Sequence, residues 1–162
     1  MKKIKAHGGN IIFISFLLAF ILSMVPLPQF LQAVRPEFVV IVLIYWCIAL
    51  PSRVGVGIGW VAGLIYDVST DALLGQHALT FALIAYLSIK LHLRIRVFPV
   101  WQQALTIFVL LMLQGTVTLW IKGMIGNAPP ISVFMLPAIS TALFWPLAYF
   151  LMRQVRRHFQ IN

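Results

Sequence analysis

Apolar residues gather into six runs, separated by short polar or proline-bearing stretches, at about residues 11–25, 37–50, 54–68, 72–89, 100–121 and 131–152. Each run predicts a helix, and together they predict one polytopic domain over residues 1–162. A straight helix needs ~20 apolar residues to cross a bilayer. The second and third runs fall short of that, so they are expected as thin helices or as a re-entrant hairpin packed inside the bundle. The sixth contains Pro137 and Pro146, which predict a kink.

The first run follows Met1-Lys2-Lys3-Ile4-Lys5, a positive stretch of the kind that opens a signal peptide. Pro26-Leu27-Pro28-Gln29 follows it and offers no small-x-small cleavage site. The segment therefore reads as an uncleaved first transmembrane helix. Trp101 and Trp120 bracket the fifth run, 19 residues or ~28 Å apart along a helix, close to a ~30 Å hydrocarbon core with an aromatic at each interface.

Composition fixes the class. Of 162 residues, 62% are hydrophobic and 9% charged, against roughly 45–50% and 25% in soluble domains. A compact fold of this size cannot hide that much apolar surface from water. Disorder, collagen and disulfide scaffolds are excluded by the same numbers. The reading is an all-α integral membrane protein, a bundle of six transmembrane helices. Cys47, the one cysteine, lies in an apolar run and reads as a small buried hydrophobe.

Charge gives the orientation. The chain carries 12 Lys+Arg against 3 Asp+Glu, a net charge of +9. With six crossings, Lys2, Lys3, Lys5, Arg53, Lys90, Arg94, Arg96, Arg153, Arg156 and Arg157 fall on one side, and only Arg35 and Lys122 on the other. Positive residues stay on the cytoplasmic side, so both termini are expected there. An odd number of crossings would split the two terminal basic clusters. The excess charge then answers to anionic lipid or a cytoplasmic partner at Arg94, Arg96, Arg153, Arg156 and Arg157 rather than to nucleic acid.

Candidate chemistry is sparse. Gly55, Gly59 and Gly63 share a helix face, with Gly57 between them, and such a ridge lets a second backbone approach closely. The partner is another helix of this chain or of a binding protein. A dinucleotide-binding loop needs a preceding strand, which an apolar membrane run does not supply. Asp67 and Asp71 are four apart at the expected outer boundary, where carboxylates stay hydrated, and Asp71 is placed to cap the next helix. Arg35-Pro36-Glu37 carries ordinary helix-start signals, and an Arg35–Glu37 surface pair would contribute little. His7, His77, His92 and His158 are scattered, without metal-ligand spacing. Phosphate loops, serine–histidine–acid sets and acid clusters for a metal are missing from the sequence. The expectation is no enzyme activity, no cofactor and no metal.

The run from Arg35-Pro36-Glu37-Phe38 to Tyr45-Trp46, then Ala49-Leu50-Pro51 and Arg53, resembles the bacterial rod shape-determining MreD family. So do Gly57, Gly59, Gly63 and Asp67, then Leu74-Gly75 and Ala78-Leu79, Trp101-Gln102-Gln103-Ala104-Leu105, and the tail Met152-Arg153-Gln154-Val155-Arg156-Arg157. Gly55 and Asp71 lie outside that pattern. The resemblance implies a non-enzymatic subunit of the cell-wall elongation machinery in the bacterial inner membrane. Its implied partners are MreC, MreB, RodA and penicillin-binding protein 2, and its implied fold is that of vitamin-transporter substrate-binding subunits. Gly57, Gly59, Gly63, Asp67, Arg35 and Arg53 are then the candidates for helix packing or partner contact. The alternative function is substrate binding for vitamin uptake, which would require a polar cavity opening outward near Asp67, Gln76, His77 and Gln114.

Overall fold

The computed structural model describes residues 8–161. Among them the only regular elements are helices: α1 (Gly8–Met24), α2 (Gln29–Gln32), α3 (Phe38–Ala49), α4 (Val56–Ser69), α5 (Gln76–Val97), α6 (Val100–Met124) and α7 (Ser132–His158). The helices α5, α6 and α7 are long and apolar enough to cross a membrane, whereas α1, α3 and α4 are shorter apolar helices. Lys2, Lys3, Lys5 and His7 lie outside the described residues.

The shortest of these apolar helices is the most deeply buried. Every residue of α3 from Val39 to Ala49 is buried, with Trp46 completely so. A helix apolar on all sides belongs at the centre of a bundle, and α3 packs on α1, α5 and α7. Its indole has to find a polar partner there, and Trp46 Nε1 donates to Ser15 Oγ of α1 at 2.8 Å. Runs two and three form two separate short helices, α3 and α4. α4 lays its closest packing on α5, not on α3, so the two short helices reach the bundle separately.

Two ends of the bundle can be told apart. A Cβ built on Gly8 would meet the Arg53 guanidinium at 2.6 Å and Ile161 at 2.8 Å, so the start of α1, the α3–α4 turn and the chain's end converge. Arg96, in the last turn of α5, donates to the Ile48 and Ala49 carbonyls at 2.9 and 2.5 Å and brings that helix end to the same place. This is the basic end. All three acids, Glu37, Asp67 and Asp71, lie towards the other end, on segments that begin or end there. Several boundaries differ from the sequence reading. The fourth run starts at Gln76 rather than 72, and α5 continues through Lys90, Arg94 and Arg96 to Val97. Those cations therefore sit on the last turns of a helix, not in a loop. α7 is one helix through both Pro137 and Pro146.

Apolar side chains also cover the outside. On α6, Trp101, Leu105, Val109 and Leu113 repeat every fourth residue along one exposed stripe, with Trp120 exposed beyond them. Both tryptophans of the expected interfacial pair thus point outward, near opposite ends of α6.

Candidate functional site

The closest helix junction is α4 on α5, and the glycine ridge makes it. A Cβ on Gly63 would stand 2.4 Å from Ala78 Cα and 2.4 Å from the His77 carbonyl oxygen. One on Gly59 would stand 2.9 Å from the Phe81 carbonyl oxygen and 3.0 Å from Ala85 Cβ. These are backbone approaches that only glycine permits. Gly55 and Gly57 meet nothing within 4 Å, so two of the four glycines carry the contact.

That approach delivers the first turn of α5 to Asp67. Asp67 Oδ2 accepts from the Gly75 and Ala78 amides at 2.9 and 3.3 Å, and Oδ1 accepts from the His77 amide at 2.9 Å. The same Oδ1 lies 2.8 Å from His77 Nδ1. A helix start leaves its first N–H groups without intrahelical partners. Here Gln76 N–H goes to the Leu73 carbonyl, those of His77 and Ala78 go to Asp67, and that of Leu79 goes to the Gly75 carbonyl. Asp67 therefore caps a helix to which it does not belong. Its exposure is 0%, not that of a hydrated boundary carboxylate. Asp71 is not the cap: it is exposed, in the turn before α5, with a left-handed φ of 50°. Gly75, with φ of 98°, closes that turn.

Arg35 and Glu37 do not form a surface pair either. Arg35 donates through Nη1 to the Ser23 carbonyl at 2.6 Å, and through Nη2 to the Val25 carbonyl, tying the end of α1. The Glu37 amide donates to Thr141 Oγ1 at 2.9 Å, and its Oε2 accepts from Gln114 Nε2 at 2.9 Å. Gln114 lies ten residues before the end of α6, or ~15 Å at the helical rise. The carboxylate thus sits well inside the bundle. Arg53 lies beside Gly8.

At the basic end, Arg96, Arg153, Arg156 and Arg157 line one cavity of about 750 Å³. Arg94 is exposed and not part of its wall. At the acidic end a second cavity, of about 640 Å³, is lined by Gln76, His77, Thr118 and Lys122 among others. His77 and Thr118 also line a smaller recess of about 210 Å³ that reaches Glu37 and Gln114. The described residues contain no group of three or more His, Cys, Asp or Glu able to hold a metal ion.

The sequence reading placed Gln103 in the family motif but gave it no role. Its Nε2 donates to the Ile95 and Phe98 carbonyls at 3.1 and 3.2 Å, and its Oε1 accepts from Trp145 Nε1 at 3.2 Å. One buried amide thus ties the end of α5 to α6 and α7. The Gln102-Gln103 pair early in an apolar run, with a tryptophan elsewhere needing an acceptor, was the available signal.

These features define an all-helical protein with three helices fit to cross a membrane, joined by buried polar locks. Residues 5–155 match the family model described as rod shape-determining protein MreD. The chain is 29% identical over 147 residues to the rod shape-determining protein MreD of Haemophilus influenzae (strain ATCC 51907 / DSM 11121 / KW20 / Rd), covering 91% of each chain. No solved structure matches. The chain belongs to the MreD family.

Proposed function

We propose that this protein is a non-enzymatic subunit of the cell-wall elongation machinery, crossing the bacterial inner membrane six times with both termini in the cytoplasm. It maintains rod shape by organising MreC, MreB and the peptidoglycan synthase formed by RodA and penicillin-binding protein 2. The observation that carries this reading is the family match over residues 5–155. The convergence of Gly8, Arg53 and Ile161 at one end supports an even number of crossings. The arginines at that end support its cytoplasmic placement. MreC is the expected direct partner, through helix faces such as the exposed stripe on α6. Gly57, open on α4, and Arg53 are available for contact with a partner, whereas Gly59, Gly63, Asp67 and Arg35 serve internal packing.

The test is depletion of the protein, with cell shape and MreC co-isolation followed together. Rounding of the cells, and recovery of MreC with the detergent-extracted protein, are expected. Rod-shaped cells, with MreC never recovered, would overturn the proposal. The cavity lined by His77, Gln76 and Lys122 favours a second reading, as a substrate-binding subunit for vitamin uptake. A vitamin co-purifying with the protein would transfer weight to it.

A further inference from the structure

The arginines of the basic end are gathered rather than spread. Arg96 comes from the last turn of α5, and Arg153, Arg156 and Arg157 from the last turns of α7, yet all four face one cavity of about 750 Å³. Two of them are fixed in place. Arg96 spends Nε and Nη2 on the free carbonyls at the end of α3, and Arg156 Nε donates to the Ile161 carbonyl at 3.3 Å. A guanidinium has five N–H donors, so each keeps others for a ligand. Arg153 and Arg157 make no side-chain hydrogen bond among the described residues, and all of their donors are available.

No carboxylate side chain answers this charge. The chain has three acids, and Glu37, Asp67 and Asp71 are engaged or exposed towards the opposite end. The only close contact between a carboxylate and a basic side chain among the described residues is Asp67–His77, also at that end. The walls of the basic cavity are not uniformly polar: Tyr45, Trp145 and Tyr149 stand beside the arginines. A polyanion with an apolar body fits such a lining better than a wholly soluble one. Arginine forks match phosphate oxygens in pairs, and four of them exceed what one phosphodiester charge can satisfy.

We propose that this cavity is a binding site for a lipid headgroup carrying two phosphates, taken from the leaflet at the basic end. Placing that leaflet on the cytoplasmic side rests on the six-crossing reading above, but the binding itself does not. Basic pockets between membrane helices hold such headgroups elsewhere. The site differs from a diffuse basic rim because it excludes Arg94, which lies on the same helix as Arg96 but outside the cavity.

The test uses the full chain in detergent, with native mass spectrometry of retained lipid. The probes are cardiolipin, phosphatidylglycerol, phosphatidylcholine and, as a soluble diphosphate, inorganic pyrophosphate. One cardiolipin should be retained in preference to phosphatidylglycerol. The pair Arg153→Gln and Arg157→Gln should weaken that retention roughly tenfold or more, as expected for two cations beside an anionic headgroup. Arg94→Gln should leave it unchanged. If the paired variant does not fold, judged by thermal unfolding, Arg157→Gln alone carries the comparison and should still weaken retention several-fold. Equal retention of both anionic lipids, or an equal loss with Arg94→Gln, would overturn the site. Pyrophosphate binding without cardiolipin binding would overturn the lipid as its source. Reporter fusions that read the basic end as periplasmic would overturn the topology and leave the binding result standing.

Discussion

Asp67 Oδ1 holds His77 twice, accepting its backbone amide at 2.9 Å and lying 2.8 Å from its ring Nδ1. The carboxylate's other oxygen holds the Gly75 and Ala78 amides. One side chain of α4 thereby fixes both the first turn of α5 and the direction of the imidazole, which faces the cavity at the acidic end.

Asp67→Asn is therefore expected to be destabilising. The sequence alone favours tolerance, because asparagine keeps the size and one acceptor. Here, however, three backbone N–H groups point at the two oxygens. Turned one way, the amide NH2 confronts the Gly75 and Ala78 N–H groups; turned the other way, it confronts the His77 N–H and is accommodated only if the ring changes tautomer so that Nδ1 accepts. Hydrogen bonds to a charged group contribute about 1.5–3 kcal/mol, and stranded buried donors cost about as much. The variant should unfold about that much more readily in denaturant, or accumulate less in the membrane. Wild-type stability of Asp67→Asn would contradict the capping role.

The glycines should separate into two pairs. Gly63→Ala places a methyl 2.4 Å from Ala78 Cα, and Gly59→Ala places one 2.9 Å from the Phe81 carbonyl oxygen. Neither obstacle is a flexible side chain, so the helices must move apart, at a cost of about 1–3 kcal/mol. Leucine at either position should be worse. Gly57→Ala meets nothing within 4 Å and should raise stability by roughly 0.5–1 kcal/mol, the helical preference for alanine. Gly55→Ala, in equally open space, should be mild. Thermal unfolding of the four alanine variants in one detergent checks the order, and a Gly63→Ala protein as stable as Gly57→Ala would refute it.

The same junction explains what the sequence could and could not reveal. The apolar runs located six of the seven helices, and the four-residue glycine spacing pointed to a close contact, because both are local. Asp67 looked hydrated because it ends an apolar run. Its burial depends on how closely Gly63 lets α5 approach, which is a tertiary distance. α3 read as a thin helix or half of a re-entrant hairpin; its central place follows from being apolar on every face. α2 was not expected, since its four residues sit in a connector between apolar runs. The charge pattern placed Arg96 and Arg153 on one side. Only the packing of α5 beside α3, with α7 nearby, sets them around one cavity and leaves Arg94 out.

Gln103→Leu should weaken the basic end of the bundle. Leucine fills similar space but removes the acceptor of Trp145 Nε1 and the donor to the Ile95 and Phe98 carbonyls. Trp145 is 1% exposed, so its indole N–H has no water to turn to. A buried donor left unsatisfied costs about 1–3 kcal/mol. Adding Trp145→Phe removes the stranded donor and should recover part of that loss. A double-mutant cycle measures the coupling between the two side chains. Additive losses, with no recovery in the double variant, would show that the bond contributes nothing.

The two ends of the bundle differ in which chain segments they gather. Gly8, Arg53 and Ile161 meet at one end. The Arg96 bonds bring the end of α5 there too. Arg35 instead holds the end of α1 on the acidic side, together with the turns around residues 70 and 127. Reporters fused near residues 53, 98 and 160 should therefore give one common reading, and reporters near 70 and 127 the opposite one. Positive residues favour the cytoplasmic side, so the first group should read as cytoplasmic. The length of α3 makes the test demanding. Twelve residues rise only ~18 Å, well short of a ~30 Å hydrocarbon core. The approach to α3 therefore has to enter the bundle as non-helical chain, and it is held there by bonds from Arg35 Nη1 to α1 and from the Glu37 amide and carboxylate to α7 and α6. Irregular backbone at that depth is tolerated only where protein surrounds it. Glu37→Leu should then harm the second crossing in particular, since it exposes the Gln114 amide to an apolar neighbour. The expected sign is a mixed reading from a reporter near 53, with the reporter near 160 unchanged. A uniform cytoplasmic reading at both places would mean that the Glu37–Gln114 bond is not needed for α3 to insert.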